Sequence, residues 1–393
     1  MKLQQLLIEA LGIPSNLIET NRIIFDKFEE AFEYHIDSRG LGPKNINSVN
    51  EKTFSVIGYF QVADFNFNKV NITVSVSPSP NLVGRKEIET LGLGFAFEGV
   101  LNGTHKRLVK PNPRVTPDTE IMFGINLVAN EEASWNDVYD HIFLDNKKDM
   151  ITSMAHELKH AYDWYKRGDK GEKIASRLKY NVASITMGLP QIDEFNYYIY
   201  YTADLENLVR PSELAANLEY GGVTKDSFLD GLRQTKVYKY LKEIENYSYE
   251  KLRDNIKIDG RAIDAIVEFL NANSNMNTNN MSKDEIVDAM LKINYDRVAE
   301  LKMNEFGQLL TRDIDPIALI LGRAEPSQAQ KDAYDEVQTE VEAFKNNPLD
   351  FYKYEVKKMK QAAQKILKKL AKVYAYLPDT PKSPKSRFGE PNK

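Results

Sequence analysis

The chain has no cysteine in its 393 residues, which excludes disulfides and thiolate metal sites and fits a reducing compartment or indifference to redox. Histidine is scarce, at five residues. No apolar run approaches the roughly 20 residues that a membrane-spanning helix needs. Met1 to Leu11 is amphipathic and carries Glu9, and it lacks the apolar centre and cleavage site of a secretory leader. A basic excess is missing too. The net charge is −5, whereas nucleic-acid binders carry a positive footprint. These absences predict no nucleic-acid partner and no membrane segment. What remains is a polar chain, 28% charged with a mean hydropathy of −0.48, long enough to bury a large core and to form two domains.

Two of the five histidines fall in His156-Glu157-Leu158-Lys159-His160. On a helix, positions i and i+4 share a face, so two imidazoles can hold one metal ion. A glutamate between them is placed to work on a water at that ion. The surrounding residues, about Asp145 to Lys166, contain no proline or glycine and read as a helix. Asn146 and Asp149 suggest its N-terminal cap, and Gly168 its end. Ile151, Met154, Leu158, Ala161 and Tyr165 form one apolar stripe. His156, His160 and Asp163 lie on roughly the opposite side, facing a cleft.

A catalytic zinc takes three protein ligands and keeps one position for water. No histidine follows His160, so a downstream third ligand must be a carboxylate. The best candidate is Glu213, in Arg210-Pro211-Ser212-Glu213-Leu214-Ala215-Ala216-Asn217. Pro211 suits the first turn of a second helix, which Gly221-Gly222 would end. Asn217, four residues on from Glu213, would accept a hydrogen bond from a ligating histidine ring. Small Ala215 and Ala216 would allow close approach to the first helix. Glu206 and Glu219 are fallback ligands, and Asp163 is a weaker one.

His156-Glu157-x-x-His160 with a downstream helix carrying Glu213 resembles the zincin metallopeptidases of the glutamate-ligand, or gluzincin, type. The Pro-Ser-Glu-Leu-Ala-Ala context is similar to the third-ligand helix of bacterial and phage zincin-like proteins. The thermolysin-like family has an aspartate where Asn217 stands, and a shorter spacing between its two metal helices. The resemblance covers about residues 50–222. It implies zinc held by His156, His160 and Glu213, a polypeptide substrate, and Glu157 as the general base that takes a proton from the zinc-bound water. It also suggests an oxyanion-stabilising tyrosine, for which Tyr197-Tyr198-Ile199-Tyr200-Tyr201 offers candidates. Glu120 to Val128 would be the edge strand that pairs with an extended substrate, unless it is a buried central strand.

The order of patterns predicts an α+β fold, with a zincin-like domain on a small mixed, antiparallel-rich sheet and a mostly helical C-terminal half. Residues 1–45 read as a helical segment, with Leu3, Leu6, Leu7, Ala10 and Leu11 on one stripe. Residues 46–222 read as the metallopeptidase domain, 223–377 as helices and 378–393 as a flexible tail. Strands are expected at Phe54–Ile57, Val70–Val76 and Phe95–Val100, with a hairpin turn at Asn102-Gly103. Asn271–Asn280 reads as a loop, Ser282-Lys283-Asp284-Glu285 as a capping box, and 349–376 as a long amphipathic helix. The helical half offers a surface for a protein partner. The competing function is a non-enzymatic structural or assembly protein on the same fold, for example a phage virion component. The expected location is cytoplasmic or virion-associated.

Overall fold

A computed structural model describes residues 12–82, 87–101, 104–107, 120–167, 182–256, 266–268, 270–272, 281–311 and 325–379. The fold is α+β. The chain folds into two compact units, Met1–Gly168 with Val209–Tyr238 and Lys369–Lys393, and Asp169–Leu208 with Lys239–Lys368. Met1–Leu11, Asn102-Gly103, Gly168, most of Asn271–Asn280 and the tail from residue 380 lie outside the described residues, and so do the expectations placed on them.

In the first unit, helix α1 (Leu17–Ser38) buries Leu17, Ile24, Phe25, Phe28, Phe32 and Ile36 along one stripe. Strand β1 (Glu51–Val62) alternates exposed and buried positions, with Phe54, Val56, Phe60 and Val62 inward. It turns at Ala63-Asp64 into β2 (Phe65–Ser79). Asn16 braces that hairpin, donating to the Gln61 carbonyl at 2.6 Å and accepting from the Ala63 N–H at 3.3 Å. Strands β3 (Ile88–Leu101), β4 (Thr104–Arg107) and β5 (Glu120–Asn130) complete a five-stranded sheet of order β1-β2-β5-β3-β4. Only β2 and β5 pair in parallel; the other pairings are antiparallel.

The edge-strand expectation for Glu120 to Val128 is therefore corrected. β5 is hydrogen-bonded to β2 on one side and β3 on the other, so it has no open edge for a peptide. Ile121, Phe123, Ile125 and Leu127 are buried on one face, whereas Met122, Gly124 and Val128 on the other are half-buried and Asn126 is exposed.

A five-residue helix α2 (Trp135–Tyr139) follows, with a capping box at Ser134 and Asp137. One π-helical stretch, Asp140–Asp145, leads to α3 (Lys147–Arg167), the motif helix. Asn146 turns its side-chain amide to His141, 3.1 Å from both the carbonyl and Nδ1. The backbone carbonyl of Asn146 opens the helix ladder by accepting from Met150 N–H at 2.9 Å. Of the predicted stripe, Ile151, Met154, Leu158 and Ala161 are buried and Tyr165 is half-buried, and Asn21 of α1 donates to the Ile151 carbonyl at 2.8 Å. Rings from α1, β1, α2 and the π-helical stretch (Phe25, Phe28, Phe32, Phe54, Trp135 and Phe143) form the aromatic core beside it. Among the described residues the next α-helices are α4 (Pro190–Tyr201) and α5 (Asp204–Tyr220), the latter one continuous helix. Gly222, at φ 66, provides the left-handed turn at its end. Helix α6 (Phe228–Gln234) packs Phe228 on Tyr374 at 5.6 Å between ring centroids.

The second unit contains α4 and the helices α7 (Lys236–Glu245), α8 (Tyr249–Asn255), α9 (Lys283–Thr311), α10 (Gln328–Lys345) and α11 (Pro348–Leu370), the first three residues of α7 being counted with the first unit. The capping box at the start of α9 forms as expected, Glu285 Oε2 accepting from the Ser282 N–H at 2.7 Å. The core of this unit holds a satisfied polar network. Asn196 and Asn294 exchange amide hydrogen bonds, Asn294 donates to the Tyr352 hydroxyl, and that hydroxyl donates to the Leu291 carbonyl. Among the described residues no helix is long and apolar enough to cross a membrane.

Candidate metal centre

Thr152, His156 and His160 follow one face of α3 at intervals of four residues. On α5, Glu206, Arg210, Glu213 and Asn217 are spaced by four, three and four. That pattern keeps them within about 60° of one another around the helix axis. Asn217 reaches Thr152 Oγ1 at 3.4 Å, and Glu213 reaches His156 at 3.2 Å. As α3 advances its partners on α5 recede, so the two faces run antiparallel. Ala215 and Ala216, 0% and 1% exposed, keep side-chain bulk low along α5.

His156 is buried at 8% exposure. The Nε2 atoms of His156 and His160 lie 3.1 Å apart, with their rings inclined at 75°. Two nitrogens bound to one zinc at about 2.05 Å and separated by this distance would subtend about 98°, near the tetrahedral angle. Ligand atoms of His156, His160 and Glu206 all lie within 4.8 Å of one another. The three side chains thus form a group able to hold a metal ion. Glu157 is next to it, its Oε1 3.8 Å from His156 Nε2.

Glu213 meets the other nitrogen of the same ring. Its Oε2 is 3.2 Å from His156 Nδ1 and 2.5 Å from Arg210. Burial pushes the Glu213 carboxyl upward, but the Arg210 guanidinium and the hydrogen bond from His156 outweigh burial and hold it down at about 2. It is an ionised acceptor for the Nδ1–H, and this fixes which nitrogen of His156 presents its lone pair to the cluster. Asn217 is one turn further along and bonds to Thr152; its buried Oδ1 has no hydrogen-bond partner among the described residues.

The other sequence candidates are placed elsewhere. Asp163 is ion-paired with Lys159, itself 3% exposed. Glu219 lies about 120° around α5 from Glu213. The tyrosines of α4 pack as an aromatic cluster with Tyr240, and the Tyr198 hydroxyl is held at 3.0 Å by both Glu194 and Glu243. Arg210 and Thr152 are site residues to which the sequence assigns no role. A signal for Arg210 exists all the same: it lies three residues before a glutamate on the same helix face.

No family model, curated protein or solved structure matches the chain.

The expected first turn at Pro211 is corrected as well. Pro211 lies inside α5, which begins at Asp204. A mid-helix proline removes one backbone donor and costs about 3 kcal/mol. Buried Val209, Leu214, Ala215, Ala216 and Leu218 on the same helix offset that cost by packing. The longer helix is what puts Glu206 on the face of Glu213, two turns before it.

Proposed function

We propose that the chain is a zinc-dependent metallopeptidase whose metal is held by His156, His160 and Glu206. The observation that carries this reading is the convergence of one ligand atom each from His156, His160 and Glu206 within 4.8 Å, with Glu157 alongside. Two imidazoles and one carboxylate suit zinc in chemistry and in the spacing of the nitrogens. The likeness of His156-Glu157-x-x-His160 to gluzincins adds to the reading.

When bound, zinc would act as a Lewis acid on a peptide carbonyl and acidify a water. The remaining work belongs to the chain. Glu157 takes a proton from the attacking water and returns it to the leaving nitrogen. Glu213, clamped by Arg210, keeps His156 in the tautomer that leaves Nε2 unprotonated. Glu213 therefore orients the ring and Glu206 binds the metal, which inverts the ranking that sequence spacing suggests.

The test is zinc content by mass spectrometry on full-length protein, beside peptide hydrolysis. About one zinc per chain is expected, lost in His156→Ala and Glu206→Gln. In Glu213→Gln the affinity should fall about 10- to 100-fold, the usual effect of removing an orienting partner. Glu157→Gln should keep zinc and lose hydrolysis. Zinc lost in Glu213→Gln but retained in Glu206→Gln would restore Glu213 as the ligand. Zinc bound without hydrolysis of any peptide by the unmodified chain would favour the structural or assembly role. No zinc after reconstitution would overturn the reading.

A further inference from the structure

Helix α11 carries seven lysines against two acidic residues. The whole chain has a net charge of −5, so everything outside this helix stands at −10. Up to Lys368 the helix belongs to the second unit. Phe351, Tyr352, Met359, Ala363 and Ile366 are buried and take its apolar side into that unit's core. On the other side Lys353, Lys357, Lys360, Gln364 and Lys368 recur at intervals of four, three, four and four. They fall within about 80° of one another around the axis, and Lys357 to Lys368 spans about 17 Å. Lys365 borders the stripe, about 60° from Lys368. Lys360 is half-buried and the other lysines of this face are exposed.

The charge of the stripe is largely uncompensated. Lys353 meets Asp350 at 3.3 Å, and Lys358, on the flank, meets Glu340 and Glu355 at 3.6 Å. Lys357, Lys360, Lys365 and Lys368 form no ion pair among the described residues. Glu355, the one acidic residue of the helix beyond its first turn, is buried at 3% exposure. Like charges three or four residues apart destabilise a helix, and a carboxylate at the same spacing would remove that cost. The exposed face keeps the repulsion and leaves the counter-charge to something outside the helix.

We propose that this face of α11 docks an acidic polypeptide segment of a protein partner, its carboxylates pairing with Lys357, Lys360, Lys365 and Lys368. The surroundings of the lysines favour carboxylates on a polypeptide over other polyanions. The helix has no arginine to fork onto a phosphate. Its exposed aromatic ring, Tyr354, has the Lys358 ammonium over it at 4.9 Å, so it is no open platform for a stacked base. The apolar side is already used in the core and cannot enter a bilayer. A nucleic-acid duplex or a lipid surface would also run past the helix toward a remainder of net charge −10, whereas a short acidic segment can end where the lysines end. None of these residues belongs to the candidate metal centre, and docking here does not require peptidase activity.

The experiment measures binding of a fluorescent oligoglutamate peptide to the full-length protein by anisotropy at physiological ionic strength. Saturable binding that weakens as sodium chloride is added is expected, because exposed pairs are screened. The combined variant Lys357→Gln, Lys360→Gln, Lys365→Gln and Lys368→Gln should bind about 30-fold more weakly, or about 2 kcal/mol shared among four exposed pairs. It should melt with the parent, since it breaks no ion pair. A control with the same loss of charge at other exposed positions of the second unit, Lys239→Gln, Lys251→Gln, Lys283→Gln and Lys292→Gln, should bind as the parent does. An equal loss in that control would mean attraction by net charge alone and would overturn the proposal. So would a parent that does not bind the peptide, or binds it without regard to salt. Tighter binding of a DNA duplex or of phosphatidylserine vesicles than of the peptide would give the face to a phosphate backbone or a lipid instead. His156→Ala must bind the peptide unchanged, since loss there would place the peptide at the metal centre. If the fourfold variant does not fold, Lys365→Gln with Lys368→Gln should still weaken binding about fivefold. Undiminished binding in that pair decides against the surface.

Discussion

His156 has two ring nitrogens with different tasks, and the division of labour is set by a carboxylate and an arginine on another helix. Nδ1 faces Glu213, and Nε2 faces His160. The Glu213 carboxyl sits at about 2 against an ordinary 4.5, so its ionised form is favoured by folding. A folded value below the unfolded one contributes stability that is complete above pH 4.5 and lost as pH falls toward 2. Metal-free Glu213→Gln should therefore be less stable than the parent at neutral pH, and the gap should close across that acid window. Chemical denaturation at a series of pH values would measure it, and a gap independent of pH would contradict the assignment. The sequence ranks Glu213 above Glu206 on local context alone. Both are glutamates, and which carboxylate meets Nδ1 of His156 depends on the axial register of two helices rather than on either local sequence.

At the level of elements, the motif helix is legible because its apolar stripe and its histidines fall on different faces, as an amphipathic period requires. The start of α9 is legible for an equally local reason, since Ser282 and Glu285 satisfy each other's backbone within one turn. The start of α5 is not. Proline is common in a first turn, and only packing can support it seven residues into a helix. Replacing Pro211 with alanine restores a donor and removes a clash, so it should stabilise the metal-free protein by about 1–3 kcal/mol. Urea unfolding would check this, and a lower midpoint would mean that the proline itself is required for packing. β5 is a similar case. Its residues pattern as a strand, but whether a strand is central or at an edge depends on its neighbours, and here these are β2 and β3, both earlier in the chain.

For the whole molecule, both compact units are discontinuous in sequence. The first takes its last segments from Val209–Tyr238 and Lys369–Lys393. Lys225 ties them together, donating its backbone N–H to the Pro378 carbonyl at 3.1 Å and pairing with Asp379 at 2.6 Å. Val373 and Leu377 are fully buried. A fragment ending at residue 222, where the sequence suggests a domain boundary, would lack all of these contacts. It should be recovered unfolded or aggregated, judged by near-ultraviolet circular dichroism, while the full chain gives a cooperative transition. A stable, cooperatively folding fragment would show that the linear division was adequate.

The sequence by itself determined the pieces whose physics is local: the α+β class from the change of hydrophobic period, the motif helix, the capping box, and the pair of histidines one helical turn apart. Tertiary structure alone decided that Glu206 and Glu213 both approach that pair, and that β5 is central. Periodicity and capping act over a few residues, so they are written into neighbouring positions. Register between helices and strand order are set by packing between segments far apart in the chain, where no short pattern records the partner.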